Sequence, residues 1–147
     1  MPAIWAARGR RPPFPFAADI LFVLPFLVDT AGNALDLYDT IDWWDDANHF
    51  WNWGLLTGAA AAGLLRTRVR ALELCSLVVG FGAVTAILWE LGEYVAFIRD
   101  SPELATAYTD TLGDMLLGLG GATVTAVVAA AYRSASSSRS RSSSDVQ

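Results

Sequence analysis

The chain has 147 residues, enough for one domain. It is 54% hydrophobic and 17% charged, a shift from soluble globular proteins towards a membrane composition. The single cysteine, Cys75, excludes a disulfide within the chain and a thiolate metal site. The formal net charge of −5 conceals a separation of signs along the chain, with no lysine at all, and no nucleic-acid partner is expected.

Residues 1–15 form a basic, proline-rich N-terminal segment carrying Arg8, Arg10 and Arg11, and Pro12-Pro13 oppose helix there. The first apolar run, Phe16 to Leu37, is followed by acidic residues rather than a small-residue cleavage site, so it is expected to be retained as a helix. Pro25 inside it is tolerable because neighbouring helices can satisfy the freed carbonyl. Asp29, Asn33 and Asp36 fall at i, i+4 and i+7, one face of a continuous helix. An acidic stretch follows, Asp36-Leu-Tyr-Asp39-Thr-Ile-Asp42-Trp-Trp-Asp45-Asp46, in which Asp39 and Asp42 read as solvated loop.

The second run is Ala47 to Leu65, with Asp45, His49 and Asn52 on one face at its start. Arg66, Arg68 and Arg70 separate it from the third run, Ala71 to Ile98, where Cys75 reads as a buried structural thiol and Glu90 and Glu93 project together. The fourth run, Thr111 to Tyr132, opens with Asp110 and Asp114; Asp110 suits a helix N-cap, with or without a second role. Each run supplies the roughly 20 residues a spanning helix needs. Residues 133–147, rich in Ser and Arg, cannot bury apolar surface and are expected to be disordered. The fold expected is therefore all-α, a four-helix transmembrane bundle over residues 16–132.

All arginines except Arg99 lie in the N-terminal segment, the loop between the second and third runs, and the tail. The positive-inside rule puts these in the cytoplasm, giving a multi-pass protein with both termini inside. The acidic ends then face outward, alongside Trp43, Trp44, Trp51, Trp53, Trp89 and Tyr94 as interfacial aromatics. Gly54 with Gly58, Gly118 with Ala122 and Gly121 with Thr125 are pairs of small residues that let helices approach.

Glu90 and Glu93 lie five to eight residues before the end of their run, roughly 8–12 Å along the axis. One carboxylate near mid-bilayer costs about 2.5–3.5 kcal/mol. Such groups persist when protonated, paired or bound to a cation. The positive partners are His49 and Arg99, too few for this much acid. His49, Glu90, Glu93 and Asp114 are accordingly the candidate ligands of a divalent cation, with Asp45 or Asp110 as a candidate base. Carboxylates with one imidazole suit zinc, manganese or iron ahead of magnesium or calcium. His49 as an interfacial hydrogen-bonding residue is the plainer alternative.

The segments Asp45-Asp46-Ala-Asn-His49, Trp89-Glu90-Leu-Gly-Glu93-Tyr94 and Tyr108-Thr-Asp110-Thr-Leu-Gly-Asp114, followed by Gly120-Gly-Ala, resemble the YjdF-type family of bacterial inner-membrane proteins. More distantly the second half is similar to the VanZ-like group. The resemblance implies location in the bacterial cytoplasmic membrane and importance of His49, Glu90, Glu93, Asp110 and Asp114; it implies no reaction. The function expected is a membrane protein with an acidic, histidine-containing cation site near its extracytoplasmic face. A metal-dependent hydrolase or transferase acting on a lipid-linked substrate, and a structural or accessory subunit, stay open beside it. A homo-oligomer in the bilayer stays open as well.

Overall fold

The computed structural model describes residues 14–144, and all regular structure among them is helical. The elements are α1 (Phe16–Ala34), a single turn α2 (Leu37–Thr40), α3 (Trp44–Leu64), α4 (Ala71–Glu93) and α5 (Ala107–Ser144). A π turn at Tyr94–Ile98 extends α4, and a 3-10 turn at Pro102–Ala105 leads into α5. Most of the basic N-terminal segment expected over residues 1–15 lies outside the described residues.

Local chemistry sets the element ends, and three differ from the expected runs. The first helix stops at Ala34, not Leu37. Leu35 caps it through Ala31 and Asn33, and Asp36 then turns left-handed at φ 59°, a conformation that Asp tolerates better than most residues. Asp36 is thereby taken off the face that Asp29 and Asn33 share. The second helix begins at Trp44, three residues early, which places Asp45 and Asp46 in its first turn, where carboxylates suit the positive end of the helix dipole. The fourth begins at Ala107, so Asp110 lies inside the first turn and not at the cap. At the start of α4 the Glu73 carboxylate accepts from the backbone N–H of Arg70 at 2.8 Å.

α5 also runs on through the Ser/Arg stretch to Ser144, where composition predicts disorder. A helix already nucleated in the bundle extends without repeating the nucleation cost. Along it Ser136, Ser137 and Ser138 donate to the carbonyls four residues back at 2.9–3.1 Å.

The helices alternate in direction. α1 packs on α3, α3 on α5, and α4 on α5, with α3 and α5 parallel. The α3–α5 seam is made by small residues: Gly121 lies against the Phe50 carbonyl, and Thr125 donates to the Gly54 carbonyl at 3.0 Å. Gly82 of α4 fits against Ala122. Towards the arginine-bearing end, Ala61, Leu74, Val78, Ala126 and Ala129 close an apolar core that partly buried Cys75 also touches. There Arg133 donates to the carbonyls of Leu64 and Thr67 at 2.9 and 2.8 Å, satisfying acceptors past the C-terminus of α3.

Beside this apolar core, burial departs from that of a soluble protein. Asn48, His49, Thr57, Glu90 and Asp114 are buried, while Phe26, Leu77, Ile87, Leu116 and Val127 are exposed. Three helices are long and apolar enough to cross a membrane: Phe16–Ala34, Ala71–Ile98 and Ala107–Ser138. α3 matches α1 in length but carries the polar residues of the site.

Candidate functional site

Three helices meet at the acidic end of the bundle. α3 brings Asp45 and His49, one turn apart; α4 brings Glu90 and Glu93; α5 brings Asp114. His49, Glu90 and Asp114 are 5%, 5% and 4% exposed, well below what unpaired ionisable side chains accept.

The imidazole is held firmly. It stacks on Trp53 with ring centres 5.6 Å apart and planes 10° from parallel. Trp53 is itself fixed by donating Nε1–H to the Gly82 carbonyl at 3.1 Å and by an edge contact with Trp89. Gly118 leaves the space this indole occupies, since a Cβ there would reach 3.2 Å from the ring. Trp53 is thus a buried support for His49, not one of the interfacial aromatics expected; Trp43 and Trp51 keep large exposed faces.

So placed, His49 divides the acid in two. Its Nε2 faces Asp45 Oδ1 at 3.5 Å and Asp114 Oδ1 at 3.8 Å, while its Nδ1 faces Glu90 Oε1 at 3.6 Å. These separations exceed the 2.7–3.2 Å of ordinary N–H···O bonds. Glu90 Oε1 is buried with no hydrogen-bond partner. Arg99, the other expected counter-charge, is spent on Asp100 at 3.0 Å on the surface. The acid therefore stands in excess around one base.

The ligand atoms of Asp45, His49 and Asp114 lie within 4.8 Å of one another, as do those of His49, Glu90 and Glu93. Either group could hold a metal ion. Zinc ligands at about 2.0–2.2 Å in a tetrahedron stand about 3.3–3.6 Å apart, close to the 3.5 and 3.6 Å measured from His49 to Asp45 and Glu90.

The four expected ligands fall into these two groups: Glu90 and Glu93 share His49 in one, and Asp114 shares it in the other, where Asp45 joins as a candidate ligand rather than only a base. Asp110 is exposed one turn before Asp114 and belongs to neither three-residue group. Nor do Asp29, Asn33 and Asp36. Asp29 accepts from the Tyr38 hydroxyl at 2.8 Å, and burial together with this carboxylate pushes the Tyr38 phenol above its ordinary range. Asn33 donates to the Asp29 carbonyl. Asn52, expected on the His49 face, donates to Asn48, a buried amide that the helical spacing of charged residues does not single out. The same holds for Trp53 as a support of the imidazole, although its place four residues after His49 is an available signal.

A family model described as Predicted membrane protein (DUF2238) matches residues 1–135. The match carries the membrane-protein class and does not extend to the YjdF-type or VanZ-like names. No curated protein and no solved structure matches the chain.

Proposed function

The chain belongs to the DUF2238 family of predicted membrane proteins, and from that premise we propose a four-span protein of the bacterial cytoplasmic membrane whose His49-centred cluster binds a divalent cation near the extracytoplasmic face. α3 counts as the fourth span because its 21 residues rise about 32 Å, matching a hydrocarbon core of about 30 Å. Its Asn48, His49 and Thr57 side chains turn inward rather than to lipid, as polar residues within membrane segments do. The arginine distribution supports cytoplasmic termini.

The observation that carries the reading is the buried oxygen of Glu90, which has no donor, sits 3.6 Å from an imidazole, and shares that imidazole with carboxylates from two other helices. A cation neutralises several of these carboxylates at once, which one imidazolium does not. Zinc, manganese or iron fits a mixed carboxylate and imidazole set. The ligand groups are complete within one chain, so assembly of copies is not needed to form them. The test is elemental analysis of detergent-purified protein against the Glu90→Gln/Glu93→Gln variant, with helix content followed alongside. Bound metal near one equivalent, lost in a folded variant, is expected. Metal absent from both proteins, or equal in both, overturns the reading.

A catalytic version of the same site has one observation in its favour. The Asp45 side chain is 44% exposed while its partners are closed off, so a substrate would reach the cluster past Asp45. There a bound metal would polarise an ester or phosphoryl oxygen of a lipid-linked substrate. Metal-dependent turnover of such a lipid, lost in Asp45→Asn with the metal retained, would distinguish an enzyme from a cation-binding or structural subunit.

A further inference from the structure

The opposite end of the bundle holds a second polar feature that the cation site does not use. A cleft of about 550 Å³ opens between the start of α4 and the end of α5, lined by Arg68, Arg70, Arg133, Ser134, Ser137 and Ser138. Three arginines line it, Arg68 and Arg70 from the segment before α4 and Arg133 from α5. Among the described residues none of Arg66, Arg68, Arg70 and Arg133 is paired with a carboxylate. Glu73, the nearest acid in the chain, is engaged by the backbone N–H of Arg70.

We propose that this cleft binds the phosphate group of an anionic membrane lipid. Guanidinium forks match phosphate oxygens in pairs, and arginines lining one cleft from two segments favour a phosphate, with its several acceptor oxygens, over a lone carboxylate. Arg133 is already braced by its two bonds to Leu64 and Thr67, so its charge is held in place at little further entropic cost, and its buried Nε has no partner of its own. The cleft lies where the apolar helices end, the level at which lipid phosphates sit, and basic pockets between membrane helices are established headgroup sites. This placement holds whichever way the bundle is oriented.

The test uses the full chain in non-ionic micelles containing phosphatidylglycerol and phosphatidylcholine, with retained lipid read by native mass spectrometry. The wild type is expected to retain phosphatidylglycerol selectively. Arg68→Gln and Arg70→Gln are each expected to lose about fivefold in that retention. Arg66→Gln removes the same charge from the same loop but lies outside the cleft, and is expected to behave as wild type. Equal retention of both lipids, or equal loss in Arg66→Gln, overturns the proposal in favour of diffuse surface charge or none. A measurement on the unsubstituted protein guards against misfolded variants. Displacement of phosphatidylglycerol by millimolar inorganic phosphate, but not by chloride of the same ionic strength, supports a phosphate site open to a soluble source. Selective retention that resists phosphate supports a site filled from the bilayer. Displacement by chloride and phosphate alike overturns the site.

Discussion

At Glu90 a carboxylate oxygen is buried without a donor inside a bundle whose neighbouring acids face the same imidazole. If the proposed cation binds, such a group destabilises the metal-free protein and stabilises the metal-bound one, so the sign of its substitution depends on the ion. In the presence of a chelator Glu90→Gln removes the charge at constant shape, and thermal unfolding in detergent is expected at the same temperature as wild type or higher. With saturating zinc or manganese the wild type is expected to gain about 2.7 kcal/mol at a hundredfold excess over its dissociation constant, and the variant far less. A variant equally destabilised with and without metal would mean that Glu90 is an ordinary structural acceptor. Glu90, Glu93, His49 and Asp114 are legible in the sequence because ionisable residues at helical spacing inside apolar runs are too costly to persist without a partner or an ion. Asp45 is legible on the His49 face from its i, i+4 spacing, but standing in a run of acids it reads as a base and not as a ligand. Trp53 reads as interfacial from sequence because an aromatic near a span end suits either the interface or the core, and only the partner helices decide.

Among the elements, the α3–α5 contact decides whether the site forms, because it carries His49 and Asp114 on parallel helices. The approach is set at Gly121, where any Cβ would meet the carbonyl of Phe50. Gly121→Ala therefore separates the helices and is expected to cost about 1–3 kcal/mol, lowering the unfolding temperature and weakening metal retention together. Gly80→Ala is the matched control: nothing lies within 4 Å of its added Cβ, so only the helix propensity changes, a gain of about 0.8–1 kcal/mol. Equal effects at the two positions would show that the seam is looser than its geometry. The number and order of long helices are legible from the apolar runs and their arginine punctuation. Their ends are not, because these rest on single local events: the left-handed turn at Asp36, the Glu73 cap at Arg70, and the continuation of α5 past Tyr132. Composition registers none of these.

Across the described residues, the buried acid and the arginine-lined cleft occupy opposite ends of the bundle. His49 and its carboxylates gather at one end, while Arg133, Arg68 and Arg70 gather at the other. This polarity makes orientation a measurable consequence of charge. The single native thiol is removed by Cys75→Ser, and one cysteine at a time is then placed at Thr40, Glu103 or Ser138, all beyond or near helix ends. Intact cells are treated with a membrane-impermeant maleimide, before and after permeabilisation. Four spans with cytoplasmic termini predict immediate labelling at Thr40→Cys and Glu103→Cys, and labelling at Ser138→Cys only after permeabilisation. If α3 lies within the protein without crossing, Thr40→Cys still labels at once, but Glu103→Cys and Ser138→Cys exchange behaviour. An inverted bundle protects both Thr40→Cys and Glu103→Cys and exposes Ser138→Cys, which would turn the cation site towards the cytoplasm. The three patterns differ, so one set of substitutions separates the span count from the orientation.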